Sequence, residues 1–519
     1  MSRMTGLARS MVVAAVLGAT YLGNTYQAIN ALPNLVYYQL LAGSLFASLL
    51  VPPLVPYADA GDRQGARRLV GGFLGVLVAG GLVLSAVVLV AGRPLLELLA
   101  LAASNPTIAA AQVRVGWFLL LMFVPQILLY VVAGTGAAVM NAHGRFALAA
   151  GAPTVESVGI IAVMAAAAVL FGTGTAIDAL PMPQLVLLGV GTTASVALHA
   201  AFEWLGARSA GVTMVPRRGW RDPEVQRVVR RVLPTLGYTA LAAVQILAIL
   251  VLANRVSGGL VAFQLALSFF YLPSAIVTWP IARALLPRLA RRHHAADDAG
   301  FSSELTRGLA LASFVTVPIA VAYAALAQPI ARAVAFGELG TPTGERMVAW
   351  SLAALSVAVV GESWFVLGTY AHFARNDPRS AFMSMAVRVS VSVALMVLAW
   401  PIRGPGVLVV LGTAFSAGSV AGTLHMWARL QRTVRVSHAS TVRSVGRTVA
   451  AAALMIGPAF LTARALGALP RTQLSEVITV AAAAVVGIAV FVGAHALLHG
   501  PELGWLRGAV ARGTGRSRT

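Results

Sequence analysis

The chain has 519 residues, of which 58% are hydrophobic and 11% are charged, and its mean hydropathy is +0.82. These values exclude a water-soluble globular protein of this size and predict a chain that folds in a lipid bilayer. The formal net charge of +21 does not indicate nucleic-acid binding, because the arginines lie in loops between apolar segments. A chain without cysteine has no disulfides, thiol catalysis or cysteine-based zinc sites.

Apolar segments follow one another along the whole chain. Hydrocarbon offers backbone groups no hydrogen-bond partner, and about 20 apolar residues cross a bilayer as a helix, so each segment predicts a transmembrane span. The predicted fold class is an all-α polytopic membrane protein of about fourteen spans. We place them at 6–30, 35–57, 69–92, 113–140, 147–171, 184–206, 232–253, 259–286, 308–327, 347–373, 381–400, 405–428, 447–466 and 477–498.

The first span follows Arg3 and Arg9 and could be mistaken for a secretory signal peptide. Its apolar stretch is too long for that interpretation and is interrupted by Asn24 and Gln27, so we predict that it is helix 1 of the mature chain.

Arginines are concentrated in the loops that follow even-numbered spans. These loops include the segments 63–68, 208–231, 288–292, 375–379 and 429–443, whereas loops after odd-numbered spans are poor in arginine. By the positive-inside rule, the arginine-rich loops and both termini are predicted to be cytoplasmic.

An internal repeat with an offset of about 234 residues divides the chain. Leu50-Val51-Pro52 recurs as Leu285-Leu286-Pro287, and the loop 141–145 recurs as 375–379. The repeat predicts two pseudo-symmetric six-helix lobes of the same topology, with a substrate site between them. The predicted organisation is an N-lobe at 1–207, a cytoplasmic basic connector at 208–231, a C-lobe at 232–430, helices 13 and 14 at 431–498, and a basic cytoplasmic tail at 499–519.

Charged residues inside spans are expensive and are therefore candidates for function. Glu156, Glu362 and Arg388 are the deep charges. Each carboxyl either couples transport or contacts substrate, or else it closes a helix contact as a protonated or paired group. Arg388 has nearly the same place in the repeat as Glu156, which suggests an ion pair between the lobes. Snorkelling of Arg388 to the cytoplasmic face is the alternative.

Asn24, Gln27 and Asn30 recur at three-residue intervals and so form one polar stripe on the first span. A polar stripe in a membrane helix faces protein or water, and we favour cavity lining over hydrogen bonding between helices.

The histidines singled out in the sequence, His143, His293, His294 and His372, are predicted to be solvated loop residues without metal-ligand spacing. The chain contains no P-loop, no glycine-rich dinucleotide turn and no H-E-x-x-H motif. We therefore expect no catalytic residue, no metal, no cofactor and no enzyme activity.

A family resemblance is carried mainly by the first two spans. The segments Ser2-Arg3-Met4-Thr5-Gly6-Leu7-Ala8-Arg9, Leu32-Pro33-Asn34-Leu35, Leu41-Ala42-Gly43-Ser44-Leu45-Phe46 and Leu50-Val51-Pro52, taken in order, resemble the MurJ/MviN branch of the multidrug/oligosaccharidyl-lipid/polysaccharide exporter superfamily. Looser landmarks are Ala284-Leu285-Leu286-Pro287 and Asn376-Asp377-Pro378-Arg379.

The resemblance implies a central hydrated cavity for the headgroup of lipid II, a groove at the last two helices for the polyprenyl tail, and alternating access. It also implies a bacterial cytoplasmic (inner) membrane location. The positions that it implies for substrate binding are Arg3, Arg9, Asn24, Asn34, Tyr37 and Ser268, with Arg9 meeting phosphate.

The sequence departs from the family pattern at four places. Asn24 stands for an acid, Tyr37 for an arginine, Ala42 for a Glu-Gly pair, and Leu267-Ser268 for an Asp-Arg pair.

Our functional prediction is a flippase for a polyprenyl-pyrophosphate-linked cell-wall precursor, with a lipid-linked glycan and membrane lipids as partners and no nucleic acid. An exporter of another lipid-linked oligosaccharide is the first alternative, because a more neutral cavity suits sugar hydroxyls. The second is a transport-inactive scaffold that recruits cell-wall synthesis proteins. Two driving forces remain open: cation coupling through Glu156 and Glu362, and membrane potential acting on arginines.

Overall fold

A computed structural model describes residues 2–35, 44–101, 105–432, 434, 438–468, 470 and 472–504. The regular structure of these residues is helical. The helices are α1 (Ser2–Leu17), α2 (Tyr21–Leu35), α3 (Ser44–Asp59), α4 (Arg63–Ala100), α5 (Pro106–Phe123), α6 (Pro125–Ala142), α7 (Phe146–Phe171), α8 (Met182–Ser209), α9 (Pro223–Ala253), α10 (Gly259–Pro273), α11 (Trp279–His294), α12 (Asp298–Ala325), α13 (Ala327–Val334), α14 (Pro342–Ala374), α15 (Pro378–Met396), α16 (Gly406–Gln431), α17 (His438–Leu466) and α18 (Gln473–Leu497).

Several helices begin at a capping side chain followed by proline. The pairs Asn105-Pro106, Asp222-Pro223, Thr341-Pro342 and Asp377-Pro378 open α5, α9, α14 and α15. In each pair the first side chain accepts a hydrogen bond from a backbone N–H of the first turn, and the proline occupies a position where no N–H is needed. Local sequence therefore fixes where these four helices start.

Among the described residues, eleven helical segments are long and apolar enough to cross a bilayer. They coincide with eleven of the fourteen predicted spans. Of the remaining three, 6–30 is divided between α1 and α2, 35–57 is described only from residue 44, and 232–253 contributes the shorter apolar segment Gly237–Ala253. The membrane-protein fold class is confirmed, and the number fourteen stays a prediction.

The first predicted span is broken at Gly18. This residue has a φ of +68°, in the left-handed region that favours glycine. Thr20 then accepts a hydrogen bond from the Gly23 backbone N–H at 3.0 Å, so α2 starts as a separate helix. A side chain at position 18 would also collide with Glu338, whose Cβ would be 2.5 Å from the added atom.

Two compact units make up the chain. The first unit comprises Met1–Leu265 with Gly337–Leu339, and the second comprises Ala266–Phe336 with Gly340–Thr519. The boundary falls inside α10. The predicted lobe limits are defined by the repeat rather than by contacts, and they stay a prediction.

In the first unit, α8 packs along α6 and α7, and α3 packs on α6. The segment between α8 and α9, which belongs to the predicted basic connector, lies against α4: the Arg217 backbone N–H donates to the Gly71 carbonyl at 2.8 Å. A Cβ at Gly75 would overlap the Arg217 carbonyl. Glycine on α4 therefore allows the connector backbone to approach the helix.

In the second unit, α16 packs against both α14 and α15, while α12 packs against α14 and α17. The last two helices, α17 and α18, pack on each other. The rings of Phe314 on α12 and Phe491 on α18 are 5.1 Å apart, which links the C-terminal pair to the rest of this unit.

The same turn joins α6 to α7 and α14 to α15. Gly144 and Asn376 both have positive φ, +72° and +56°. The next residue in each case, Arg145 or Asp377, donates its backbone N–H to a carbonyl five residues earlier, at 2.9 and 3.0 Å. The local structure therefore repeats at an offset of 232 residues, two fewer than the offset of about 234 estimated from the sequence.

Candidate functional site

Glu156 is the centre of a buried ion cluster in the first unit. It lies on α7, and its side chain is 3% exposed. Arg9 on α1 donates from Nη1 to Glu156 Oε1 at 2.9 Å, and His199 Nδ1 on α8 lies 2.9 Å from Oε2. Each carboxylate oxygen thus has a basic partner from a different helix, which offsets the cost of removing the charge from water.

Tyr130 on α6 connects this cluster to α2. Its hydroxyl lies 3.1 Å from Glu156 Oε1 and 2.9 Å from Asn34 Oδ1, and it can donate to either. The Asn34 amide nitrogen donates to the Asn30 carbonyl at 2.7 Å, which fixes the amide orientation. The cluster therefore gathers polar side chains from α1, α2, α6, α7 and α8.

A second carboxyl, Glu203, lies one helical turn beyond His199 on α8. It is 0% exposed, and its Oε1 is 3.9 Å from His199 Nε2. Among the described residues, neither oxygen of the Glu203 carboxyl has a hydrogen-bond partner. Glu156, His199 and Glu203 thus form a row in which the histidine faces one carboxyl with each ring nitrogen.

A buried ion pair in the second unit joins α15 to α14. Arg388 on α15 donates from Nη1 to Glu362 Oε2 on α14 at 2.5 Å. The guanidinium lies over the rings of Phe365 and Phe415, 5.2 and 5.3 Å from their centroids. Gly422 leaves space for this arrangement, because a Cβ there would come 2.6 Å from Arg388 Cβ.

The expected Glu156–Arg388 ion pair is wrong for this structure. Glu156 is paired with Arg9 and Arg388 with Glu362, so each charge has its partner in its own unit. Snorkelling of Arg388 is excluded as well, because the residue is 5% exposed.

The two arrangements occupy equivalent positions of the repeat. Tyr130 and Glu156 are 26 residues apart, as are Glu362 and Arg388, and the second pair follows the first by 232 residues. The repeat was therefore correctly used to relate Glu156 to Arg388. The repeat does not reveal the ionic partners, because equivalent positions carry different residues. Tyr130 on α6 corresponds to Glu362 on α14, and Glu156 on α7 corresponds to Arg388 on α15.

Asn24 belongs to a different polar network, which joins the turn between α1 and α2 to the turn between α9 and α10. Its amide nitrogen donates to the Val256 carbonyl at 2.8 Å, and its oxygen accepts from the Leu260 N–H at 3.0 Å. Ser257 donates to the Ala19 carbonyl at 2.8 Å. The Asn24 side chain is fully buried and bonds between helices, the less favoured of the two roles predicted for it.

Gln112 on α5 and Asn254 at the end of α9 extend this second network. The Gln112 amide nitrogen donates to Asn254 Oδ1 at 3.1 Å, and the Asn254 amide donates to the Leu99 carbonyl at 2.8 Å. The turn between α9 and α10 follows an odd-numbered predicted span, on the side that the arginine distribution predicts to face away from the cytoplasm, and it binds the turn that interrupts the first predicted span.

The remaining predicted substrate residues are dispersed. Arg3 lies exposed on the first turn of α1, and Ser268 is half-buried on α10 in the second unit. Tyr37 falls outside the described residues, as do Ala42 and most of the basic tail. Within the first unit, Arg9 and Asn34 are the two predicted substrate residues that the structure brings to the Glu156 cluster.

Sequence reasoning overlooked His199 and Tyr130. A histidine in the middle of an apolar span, four residues before Glu203, was the available signal, because this spacing puts both side chains on one helix face. The prediction that His372 is a solvated loop residue is wrong. His372 is 2% exposed near the end of α14, and its Nδ1 lies 3.3 Å from Asp377.

Two helical units with eleven apolar segments of membrane-spanning length among the described residues define a class of protein, the polytopic membrane proteins. A solved structure titled "Lipid II flippase MurJ, inward closed conformation" aligns with 96% of this chain and 97% of its own at a TM-score of 0.72 and 15% identity. An inward-facing MATE family transporter of the MOP superfamily aligns with 83% of this chain and 94% of its own at a TM-score of 0.66 and 14% identity. At these identities the likeness shows the fold.

The family model described as "Lipid II flippase MurJ" matches residues 13–486, and the chain belongs to this family. A probable lipid II flippase MurJ of Vibrio cholerae serotype O1 is 25% identical over 473 residues, covering 88% of this chain and 85% of that protein. The lipid II flippase MurJ of Burkholderia cenocepacia is 26% identical, covering 70% of this chain and 68% of that protein.

Proposed function

We propose that this chain translocates lipid II, a polyprenyl-pyrophosphate-linked cell-wall precursor, across the bacterial cytoplasmic membrane by alternating access and without catalysing a chemical reaction. Membership of the lipid II flippase MurJ family supports this substrate class. Membrane lipids surround the spans, both termini are cytoplasmic, and cell-wall synthesis proteins are the partners that would supply and consume the cargo.

Arg9 is the observation that carries the proposal. Its side chain is 19% exposed while one end of the guanidinium is fixed by the buried Glu156. A guanidinium presents its N–H donors in a planar fork, and that fork matches pyrophosphate oxygens. Arg9 is thus positioned by protein and reachable by an anionic headgroup.

Asn34 supplies a neutral polar group next to this arginine. Its amide, held by Asn30 and Tyr130, can hydrogen-bond to sugar hydroxyls. We assign Arg3, Tyr37 and Ser268 to the same substrate path, as the family resemblance implies. Asn24 affects the substrate path indirectly, because its hydrogen bonds join α2 to the turn between α9 and α10 and to the start of α10.

Alternating access is supported by the network around Asn24. Hydrogen bonds from Asn24 and Ser257 close the turns on the side opposite the arginine-rich loops. Separating these turns requires a few hydrogen bonds to break rather than the unfolding of a helix. Each such bond contributes about 0.5–1.5 kcal/mol, so the network is reversible.

The test is translocation of fluorescent lipid II in proteoliposomes that contain the purified chain. We expect lipid II to lose its protection from a membrane-impermeant quencher or reductant, and Arg9→Gln to slow this loss roughly ten- to a hundredfold. Arg93→Gln is the matched control, because Arg93 is an exposed arginine paired with Glu97 on α4. The same assay with a lipid-linked O-antigen-type oligosaccharide in parallel vesicles tests the alternative, an exporter of another lipid-linked oligosaccharide.

A scaffold would give a different result. If neither lipid crosses the membrane while the protein copurifies with cell-wall synthesis enzymes, the flippase proposal is overturned in favour of a transport-inactive scaffold. If only the O-antigen-type lipid is translocated, that lipid and not lipid II is the cargo.

A further inference from the structure

Glu203 is a buried carboxyl that the substrate path does not use. Its two oxygens are buried and have no hydrogen-bond partner among the described residues, and its nearest basic atom is His199 Nε2 at 3.9 Å. Burying an ionised carboxylate without hydrogen bonds costs several kcal/mol. The arrangement fits a carboxylic acid, which carries a bound proton.

Among the described residues, the charged groups on the helices packed against α8 do not offset this burial. From α6, Gly136 packs against the Glu203 backbone, and the titratable side chain of that helix is Tyr130. From α7, the charged residue is Glu156, which faces the other nitrogen of His199. Arg114 on α5 is exposed, and Arg208 at the end of α8 lies over the Trp204 ring. The histidine is thus the group between the two acids.

We propose that Glu203, His199 and Glu156 form a proton pathway that neutralises Glu156 and so releases Arg9 to the substrate pyrophosphate. This inference rests on the proposed function, because it assigns the coupling of that same site. It gives a role to the row of side chains that no transport step described above requires.

The transfer conserves protons and charge. With Glu156 ionised against Arg9, the hydrogen on His199 lies on Nδ1 and points to Glu156 Oε2, 2.9 Å away. A rotation of the Glu203 side chain brings its O–H to Nε2. The Glu203 proton passes to Nε2 while the Nδ1 proton passes to Glu156 Oε2, which leaves Glu203 ionised, His199 neutral and Glu156 an acid.

The consequence is an exchange of anions on Arg9. A neutral Glu156 no longer competes as a counter-ion, so the guanidinium binds pyrophosphate oxygens instead. Glu203, two turns from the end of α8 that precedes the arginine-rich connector, then takes up a proton from that side. Binding of the pyrophosphate headgroup is thereby linked to uptake of one proton.

The first measurement is infrared difference spectroscopy of the purified protein at neutral pH, between wild type and Glu203→Gln. We expect the variant to lack a carboxylic-acid C=O band that the wild type has. Glu97→Gln, which changes an exposed glutamate on α4, should leave that band unchanged. Equal acid bands in wild type and Glu203→Gln would mean that Glu203 is ionised, and the proposal would be overturned.

The second measurement counts protons during binding of farnesyl pyrophosphate, by calorimetry in buffers of different ionisation enthalpy. We expect the wild type and Glu97→Gln to take up about one proton per bound molecule, and Glu203→Gln to take up almost none. His199→Gln, which keeps the Glu203 acid but interrupts the path, should keep the infrared band and lose proton uptake. Its unchanged band also shows that this variant is folded.

The two readouts separate this inference from the proposed function. Binding of farnesyl pyrophosphate by wild type without proton uptake contradicts the proton pathway and leaves the flippase proposal standing. Absence of any binding or lipid II translocation contradicts the flippase proposal and, with it, the coupling of the proton to substrate, even if the infrared band is present.

Discussion

Arg9 donates to the buried Glu156 carboxylate and remains partly exposed. Replacing it therefore tests directly whether this arginine contacts the substrate. We expect Arg9→Gln to reduce the rate of lipid II translocation roughly ten- to a hundredfold, because a hydrogen bond to a charged group contributes about 1.5–3 kcal/mol. Arg9→Lys should retain part of the rate, since it keeps the charge but loses the planar fork. Translocation in proteoliposomes measures both, and a wild-type rate for Arg9→Gln would remove Arg9 from the substrate path.

Replacing Arg388 or Glu362 tests whether the ion pair between them stabilises the fold. Removing one partner leaves the other charge buried without compensation, which costs about 3–5 kcal/mol. We therefore expect Arg388→Met and Glu362→Gln each to lower the thermal unfolding temperature of the purified protein strongly. The double variant should be more stable than either single variant.

A double-mutant cycle on the unfolding temperature checks this expectation. Additive losses would show that Arg388 and Glu362 do not depend on each other. The cation–π contacts of Arg388 with Phe365 and Phe415 would then be its main interactions.

At the level of residues, the sequence identified the buried charges and not their partners. Glu156, Glu362 and Arg388 were recognisable because a charge within an apolar span is expensive. Arg9 lies 147 residues from Glu156 in the chain, and no local pattern relates the two. Pairing depends on how α1, α7 and α8 pack, which is information that a single sequence does not contain.

At the level of helices, Gly136 allows the close approach of α6 and α8. A Cβ at this position would lie 2.7 Å from the Glu203 carbonyl oxygen, which is a backbone atom of α8 and not the end of a flexible side chain. Such overpacking costs about 1–3 kcal/mol. We expect Gly136→Ala to lower the thermal unfolding temperature despite the higher helix propensity of alanine.

Gly151→Ala is the matched control for this helix contact. Gly151 is exposed on α7, and an added Cβ there meets nothing within 4 Å. Alanine should therefore gain up to about 1 kcal/mol of helix propensity. An unfolding temperature for Gly136→Ala equal to or above that of Gly151→Ala would contradict close packing of α6 on α8.

Helix positions were largely predictable because span length and apolar content are set by the bilayer. The break between α1 and α2 was not predicted. Gly18 and Thr20 are individually ordinary in an apolar segment, and their effect arises from the left-handed φ of Gly18 and the contact of that position with Glu338. Helix breaks of this kind depend on what packs against the turn.

For the whole molecule, the apolar segments predicted the fold class, the repeat predicted two lobes, and the resemblance carried mainly by the first two spans predicted the family. The repeat is visible in the matching α6–α7 and α14–α15 turns. The sequence offset of about 234 is two residues longer than the structural one, because it aligns Arg145 with Arg379, whereas the structure aligns Gly144 with Asn376. The side chains at equivalent positions differ between the two copies of the repeat, while the backbone geometry of the turn is the same.

Alternating access makes a prediction that concerns the molecule as a whole. We expect the turn containing Ala19 to separate from the turn containing Ser257 when the transporter opens outward, a movement within the first unit that breaks the hydrogen bond from the Ser257 hydroxyl to the Ala19 carbonyl. Cysteines introduced at these two positions are unique, because the chain has none. A short reversible thiol crosslinker would hold the turns together.

The most direct measurement is lipid II translocation by the Ala19→Cys/Ser257→Cys protein in proteoliposomes, before crosslinking, after it, and after reduction. We predict translocation before crosslinking, none after it, and recovery on reduction, with each single-cysteine variant unaffected by the reagent. Translocation that continues at the same rate in the crosslinked protein would contradict alternating access through this end of the molecule.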